Sequence, residues 1–157
     1  MELVLLFGLP GSGKTHFSVH KTLNRVLLGQ LLRDDSDPII MECMRRGDTV
    51  PIEISMRILN KVLENRTGKV VLDGFPRNLE QLEALDGDGY SVAKVIFFNI
   101  SKEICRLRLK KRNRFDDTEE IIRRRFHQFE IETLPLVEIL RERGVPIVEI
   151  TDIEEIV

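Results

Sequence analysis

The residues best suited to chemistry lie at 8–15, where Gly-Leu-Pro-Gly-Ser-Gly-Lys-Thr follows the apolar run Leu3–Phe7. They match the pattern G-x-x-x-x-G-K-[ST], which binds phosphate where it joins a strand to a helix. Glycines let the loop N–H groups converge on phosphate oxygens, and the next helix adds the positive end of its dipole. Lys14 would reach the β- and γ-phosphates, and the Thr15 hydroxyl would face Mg²⁺. The preceding strand favours a nucleoside triphosphate site over a chance glycine-rich turn. Its predicted residues are Gly8, Pro10, Gly11, Ser12, Gly13, Lys14 and Thr15.

A second pattern closes a later apolar strand, where residues 71–77 read Val-Leu-Asp-Gly-Phe-Pro-Arg. Proteins with a phosphate loop place a carboxylate for Mg²⁺ at such a strand end, usually acting through water, and Asp73 occupies this position. Arg77 offers a planar fork suited to bidentate phosphate binding. The alternative is a solvated Asp-Gly turn with an exposed arginine. The phosphate loop earlier in the chain favours the site.

The composition is that of one ordinary globular domain. The chain has 157 residues, of which 42% are hydrophobic and 32% charged, and it shows no repeat or linker. Its 24 Lys+Arg and 26 Asp+Glu give a net charge of −2. No overall field therefore favours nucleic acid or an anionic membrane.

The cysteines and the apolar runs predict where the protein resides. Cys43 and Cys105 are far apart and have no metal-ligand spacing, so they fit a reducing compartment and predict no zinc site. No apolar run is long enough to span a membrane, and Met1-Glu2 leads straight into a strand without a secretory leader. We expect a cytoplasmic protein that binds neither membrane nor nucleic acid.

Alternating apolar and amphipathic segments predict an α/β fold. The predicted strands are Leu3–Phe7, Arg25–Leu28, Lys69–Asp73, Lys94–Ile100 and Pro146–Ile150. Helical patterns cover 14–23, 38–46, 52–65, 78–85, 102–112 and 117–143. This order indicates a five-stranded parallel sheet with helices on both faces.

The last helical region is predicted to be two helices. Asp117 and Glu120 resemble a capping box at the start, and Thr133 reads as a fresh cap before Pro135 in a first turn. Ligands in such sheets bind beyond the carboxyl ends of the strands. The segments 8–15, 29–33 and 73–77 all follow predicted strands, so we expect them to converge there.

Several motifs together carry a resemblance to a known family. They are Gly-Leu-Pro-Gly-Ser-Gly-Lys at 8–14, Gly-x-Leu-Leu-Arg at 29–33, Val50-Pro51 and Leu-Asp-Gly-Phe-Pro-Arg at 72–77. Further matches are Gln81, Arg114-Phe115-Asp116-Asp117, Glu119-Glu120, Arg125 and Thr133-x-Pro135-Leu136. Over nearly its whole length the chain resembles the nucleoside monophosphate kinases, and most closely the adenylate kinases.

The resemblance implies a three-layer P-loop NTPase fold and a reversible Mg²⁺-dependent reaction of ATP with AMP that gives two ADP. It implies a single kinase domain over 1–157, with an insertion at about 29–58 that binds the monophosphate and a vestigial lid at about 112–116. Such a site has to neutralise the phosphoryl group in flight and exclude water.

The resemblance also assigns roles to individual residues. Lys14 would hold the ATP phosphates, and Arg33 and Arg77 would hold the AMP phosphate. Gln81 would read the acceptor base. The arginines expected around the transferred group are Arg112, Arg114 and Arg125. The nucleotide-binding set also includes Gly29, Val50, Asp73 and Gly74.

The remaining basic and aromatic residues have simpler interpretations. About half of the basic side chains between 106 and 125 are expected on the solvated surface. The residues His16, His20 and His127 show no ligand spacing and are predicted at the surface or in helix packing. The stripe of Ile122, Phe126 and Phe129 is predicted to be core.

Three departures from the family pattern leave alternatives open. Only Asn113 separates Arg112 from Arg114, too little for a mobile lid, so water exclusion would need another source. One candidate is a homo-oligomer with a shared site. Leu28 and Gln30 replace the family's threonine and aspartate, which leaves a UMP/CMP or other small-molecule kinase as the runner-up.

The third departure concerns Thr15, which stands where the family has glycine. The stretch from Lys14 to Gly29 is also shorter than in the family pattern. No segment up to Val157 is predicted to form the family's usual C-terminal helix. The near-absent lid and Gln30 favour a rival from another class, a nucleotide-binding regulatory module with weak ATPase activity. The retained residues that oppose it are Lys14, Asp73, Arg77, Arg114 and Arg125.

Overall fold

The computed structural model describes residues 1–20, 24–115 and 117–151, with no side-chain description for residues 18–20. Its five strands form one sheet in which every neighbouring pair is parallel, in the order β2-β3-β1-β4-β5. The strands are β1 (Glu2–Gly8), β2 (Arg25–Leu27), β3 (Val70–Asp73), β4 (Ser91–Phe98) and β5 (Ile147–Ile150). The predicted α/β class is confirmed.

Helices connect the strands. They are α1 (Lys14–His20), α2 (Leu28–Asp34), α3 (Pro38–Arg46), α4 (Ile52–Leu63), α5 (Leu79–Gly87), α6 (Lys102–Arg112), α7 (Glu119–Gln128) and α8 (Leu134–Glu142). A π-helical turn, Phe129–Thr133, joins α7 to α8. In the part of the chain described, no helix has the length and apolarity needed to span a membrane.

The central strand β1 divides the core into two layers, because successive side chains of a strand point to opposite faces. Leu3 and Leu5, both 0% exposed, pack with buried residues of α2, α3, α4, α5 and α8. Leu6 faces the other way, toward Leu109 of α6 and Phe126 of α7. The sheet is therefore the middle of three layers, and the predicted core stripe of α7 and the π turn is confirmed.

Local capping explains why α6 and α7 are joined by so short a turn. The Ser101 side chain caps α6 by accepting from the Ile104 N–H. At its other end Asn113 adopts the left-handed conformation (φ 49°, ψ 48°), which ends a helix and reverses the chain. Asparagine tolerates this backbone better than most residues. Arg112 and Arg114 are thus placed by a helix end and a tight turn.

Two predicted helix caps are wrong. Helix α7 is capped by Thr118, whose Oγ1 accepts from the Ile121 N–H, because the Asp117 carboxylate is bonded to Arg112. Thr133 caps nothing: its backbone is helical, and the N–H of Leu134 donates to the carbonyl of Phe129. Pro135 lacks an N–H and would strain a regular α-helix, so the wider π turn accommodates it.

The strand boundaries differ from those predicted by at most three residues. Helix α2 is not among the predicted helices, because residues 29–33 match a binding motif and are not interpreted as a helix. Residues 21–23 of the predicted first helix lie outside the described residues, as do the side chain of His20, Asp116 of the predicted lid, and residues 152–157.

Candidate active site

The phosphate loop packs tightly against α6. Gly11 and Gly13 have φ of +82° and +97°, a backbone that side chains rarely adopt. A Cβ on Gly11 would lie 2.6 Å from the Cys105 carbonyl oxygen and 2.9 Å from Leu109 Cγ. Only glycine allows this approach, so the loop and α6 form one rigid wall.

Lys14 extends from the first turn of α1 back across the loop. Its Nζ donates to the carbonyls of Gly8 at 3.1 Å and Leu9 at 3.2 Å. Burial lowers the pKa of Lys14, and the charges of Arg77 and Arg112 lower it further, while Asp73 partly opposes them. A bound anion would favour the charged ammonium in this setting.

Two oxygen atoms that can bind a metal ion, one of Thr15 and one of Asp73, lie together beside the loop. Thr15 Oγ1 donates to Asp73 Oδ2 at 2.9 Å. Asp73 ends β3 directly beside Leu6 of β1 and is only 3% exposed, so its carboxylate is fixed in place. A hydroxyl and a carboxylate are ligands that Mg²⁺ accepts, directly or through water, and the pair fits such an ion.

The first turn of α2 and the loop that follows β3 approach each other at two glycines. A Cβ on Gly74 would lie 3.6 Å from the Gly29 nitrogen, and one on Gly29 would lie 3.4 Å from Arg33 Nη2. The Arg77 side chain folds back over the same loop, with Nε donating to the Gly74 carbonyl at 3.0 Å. Two guanidinium groups are thereby brought to one end of the sheet.

Asp117 organises the arginines of the α6–α7 turn. Its carboxylate accepts from Arg112 Nε at 2.8 Å and Nη2 at 2.6 Å, and from the Arg114 N–H at 3.3 Å. Arg125 Nη1 lies 3.9 Å away. Burial alone would raise the pKa of Asp117, but the hydrogen bonds and charges of these arginines hold it below its ordinary value. One carboxylate therefore fixes three cationic residues.

A cavity of about 490 Å³ brings most of the predicted site together. The predicted residues that line it are Gly8, Pro10, Gly11, Gly13, Lys14, Thr15, Gly29, Arg33, Asp73, Gly74, Arg77, Arg112, Arg114 and Arg125. Its size is within the range of small-molecule sites.

Three predicted residues do not line this cavity. Ser12 is fully buried within the loop, and Val50 is 6% exposed in the core layer of α2–α5. Gln81 is 3% exposed, and its Oε1 accepts from the Arg77 N–H at 2.6 Å.

The cavity also contains residues that the sequence prediction missed. Arg108 lines it and reaches the Gly11 carbonyl at 3.5 Å, and His16, Phe129 and Thr133 line it as well. Arg108 precedes Arg112 by four residues and so shares its helix face, a signal that could have identified it.

Other basic residues of the region have structural or surface positions. Lys110, Lys111 and Arg123 are exposed. The Arg106 guanidinium lies 5.2 Å from the Phe126 ring centroid and 3.7 Å from Glu119, so it ties α6 to α7.

Such a concentration of positive charge at the end of a P-loop sheet suits phosphoryl transfer between anionic ligands. The fold and site thus define a P-loop kinase, and sequence comparison specifies which kind. Residues 6–145 match the family model described as adenylate kinase. The chain belongs to the adenylate kinase family, and it is a nucleoside monophosphate kinase.

Individual relatives span most of the chain. The adenylate kinase of Mycobacterium tuberculosis is 32% identical over 156 residues, covering 89% of this chain and 86% of the relative. That of Mycolicibacterium smegmatis is 33% identical over 155 residues, covering 88% and 86%. UMP-CMP kinase 3 of Oryza sativa subsp. japonica is 34% identical over 152 residues, covering 88% and 72%. Similarity to both kinds of kinase leaves the acceptor base unassigned.

We predict that replacing Asp117 by asparagine destabilises the fold and alters its pH dependence. At pH 7 the variant leaves Arg112 and Arg125 without their carboxylate, and the free energy of unfolding should fall by about 3 kcal/mol. Since the folded-state pKa is lowered, the wild-type advantage is present above the ordinary pKa of 3.8 and is lost as pH falls through the lowered value. Urea denaturation from pH 7 to pH 3 measures both effects.

Asp86→Asn is the matched control for this experiment. Asp86 pairs with Arg143 at 3.0 Å, but both side chains are 41% exposed, so its loss should cost under about 1 kcal/mol. Equal losses in the two variants would show that the Asp117 cluster is an ordinary surface ion pair.

Proposed function

We propose that the chain transfers the γ-phosphoryl group of Mg·ATP reversibly to AMP, giving two ADP. The observation that carries the proposal is that Lys14 lines one cavity together with Arg33, in the last turn of α2, and Arg77, in the loop after β3. One anionic ligand needs only one such cluster, whereas a donor and an acceptor phosphate need cations on both sides.

The donor half would be the phosphate loop. Its N–H groups and Lys14 would hold the ATP phosphates, with Gly8, Pro10, Gly11, Ser12 and Gly13 shaping the loop. The Thr15–Asp73 pair would hold Mg²⁺, Thr15 by its hydroxyl and Asp73 through water. Mg²⁺ held by this pair would supply positive charge that partly neutralises the phosphates.

The transfer centre would lie at the α6–α7 turn. Arg112, Arg114 and Arg125 would surround the phosphoryl group and stabilise the charge it carries in the transition state. Asp117 supports this role because it orients the arginines from beneath.

The acceptor half would be the segment of about 29–58, with its phosphate held by Arg33 and Arg77. Because neither Gly29 nor Gly74 carries a side chain, their backbones can lie close together beside the two arginines. The role of base reader for Gln81 follows from the family resemblance; its Oε1 is engaged by the Arg77 N–H, so the amide nitrogen would be the atom left for a base. Val50, 6% exposed, would support the segment from the core layer. The choice of AMP rests on the family's glutamine at this position, because an amide nitrogen alone would donate to acceptor atoms of any base.

Closure would depend on contacts other than those of a lid. The turn after Arg112 is too short to cover the site, consistent with a vestigial lid at about 112–116 in a single kinase domain. Instead, Arg124 of α7 donates to the Arg46 carbonyl and pairs with Asp48 at 3.2 Å. Gln128 donates to Thr49. These contacts would hold the acceptor segment against α7 and limit access of water.

The acceptor panel tests the proposed substrate. We expect AMP to give the highest kcat/KM among AMP, CMP, UMP and GMP in a coupled assay with ATP and Mg²⁺. A reaction without acceptor measures ATP hydrolysis as the control. Preference for CMP or UMP would instead support a pyrimidine monophosphate kinase, and ATP binding without transfer to any acceptor would support a regulatory module.

Substitution of the cationic residues tests the two halves of the site. Lys14→Met and Arg77→Ala should each lower kcat/KM by about 10²-fold or more, because each removes a charge that contacts a phosphate in the transition state. Lys110→Met on the exposed face of α6 is the control and should retain nearly full turnover. Near-normal turnover of the Arg77 variant would contradict its assigned role.

The metal requirement has its own test. Turnover should vanish when a chelator removes divalent cations and return when Mg²⁺ is added. Thr15→Val should raise the Mg²⁺ concentration for half-maximal rate at least about tenfold, since a metal site loses affinity when a positioned group is removed. Thr67→Val, an exposed threonine, is the control. An unchanged requirement in the Thr15 variant would exclude this hydroxyl from the metal site.

A further inference from the structure

The hydroxyl of Thr133 makes an unusual long-range contact for a residue in a helix. Thr133 is 6% exposed, and its Oγ1 donates to the carbonyl oxygen of Arg77. It closes the π turn and makes no capping bond to α8. π turns within α-helices are frequently found at functional sites. Here the turn presents a hydroxyl to a loop that carries a site arginine.

The same peptide segment is held from the other side. The Arg77 N–H donates to Gln81 Oε1, and Gln81 is in turn placed by its own N–H, which donates to Asn78 Oδ1 at 2.9 Å. Both polar backbone groups of Arg77 are therefore bonded by buried side chains. We call these two bonds, Thr133 to the Arg77 carbonyl and the Arg77 N–H to Gln81, the Arg77 clamp.

The Arg77 clamp holds a backbone segment that lies in the connection between β3 and α5. Residues 74–78 separate β3 from α5, so neither a strand ladder nor a helix fixes this backbone. The guanidinium sits at the end of a long side chain, and a small backbone shift changes where it reaches. A misplacement of about 1 Å in a positioned group can cost about a hundredfold in rate.

We propose that Thr133 is a positioning residue that fixes Arg77 relative to the helix that carries Arg125. Arg125 and Thr133 are eight residues apart in the continuous run of α7 and the π turn. This helix would thus set the spacing between the acceptor-phosphate arginine and a transfer arginine. The inference rests on the role proposed for Arg77.

The test compares Thr133→Val with Thr133→Ser. Valine keeps the shape but removes the hydroxyl, whereas serine keeps the hydroxyl. We expect valine to lower kcat/KM for the best acceptor of the panel about tenfold or more while the KM for ATP changes less than twofold. Serine should restore kcat/KM to within about threefold of the wild type. A serine variant as impaired as the valine variant, or a valine variant like the wild type, would overturn the proposal.

A double-mutant cycle separates this inference from the proposed function. If Thr133 acts through Arg77, Thr133→Val should have little further effect on kcat/KM in the Arg77→Ala background. A full tenfold loss in that background would overturn the proposal while leaving the kinase assignment intact. Circular dichroism and urea denaturation of each variant identify unfolding, and the neighbouring Leu134→Ala, at a 37% exposed position, is the control that should retain normal kinetics.

Discussion

Positive charge gathered in one cavity is the constraint on which the rest of the structure depends. Among the lining residues that the structure describes, seven side chains are cationic and Asp73 is the single carboxylate. The cationic residues are Lys14, Arg33, Arg77, Arg108, Arg112, Arg114 and Arg125. Burial lowers the pKa of Lys14, and repulsion from Arg77 and Arg112 lowers it further, against the opposing charge of Asp73. The fold has to hold the charges in place by rigid contacts so that anionic ligands meet them already arranged.

Two buried carboxylates, those of Asp73 and Asp117, contribute to this arrangement in different ways. Asp73 lies in the cavity wall, at the end of a strand, and accepts a hydrogen bond from the Thr15 hydroxyl. Asp117 does not line the cavity, and its side chain is only 2% exposed. Its carboxylate accepts hydrogen bonds from the Arg112 guanidinium and the Arg114 N–H. A buried carboxylate with such partners contributes geometry more reliably than net stability. Its value here is the fixed placement of three guanidinium-bearing residues around a turn of few residues.

The site could be predicted from sequence where its residues lie at or just after the ends of strands. The phosphate loop follows β1, and Asp73 and Arg77 lie at and just after the end of β3, so the parallel sheet itself brings them together. The contacts of Asp117, Gln81 and Thr133 could not be predicted. Thr133 bonds a carbonyl 56 residues away in sequence, and Asp117 and Gln81 bond nearby groups that compete with a helix cap or a ligand for the same side chain. The predicted Asp117 cap failed for this reason: the arginines compete for the carboxylate, and the adjacent Thr118 takes the cap. Likewise the predicted break at Thr133 is a π turn, since tertiary packing continues the helix through Pro135.

The helix formed by α7, the π turn and α8 contacts both sides of the acceptor site with unequal strength. It reaches the proposed acceptor segment through hydrogen bonds from Arg124 to the Arg46 carbonyl and from Gln128 to Thr49, and through the Arg124–Asp48 pair. The side chains of that pair are 47% and 38% exposed, and such pairs contribute at most about 1 kcal/mol. Its contact with the Arg77 loop is a hydrogen bond from a buried hydroxyl, which is costly to break without replacement. The exposed Arg124–Asp48 pair therefore costs less to break than the buried bond from Thr133 to the Arg77 carbonyl. In the proposed reaction, the helix would keep Arg77 aligned with Arg125 even where its ion pair with Asp48 is broken.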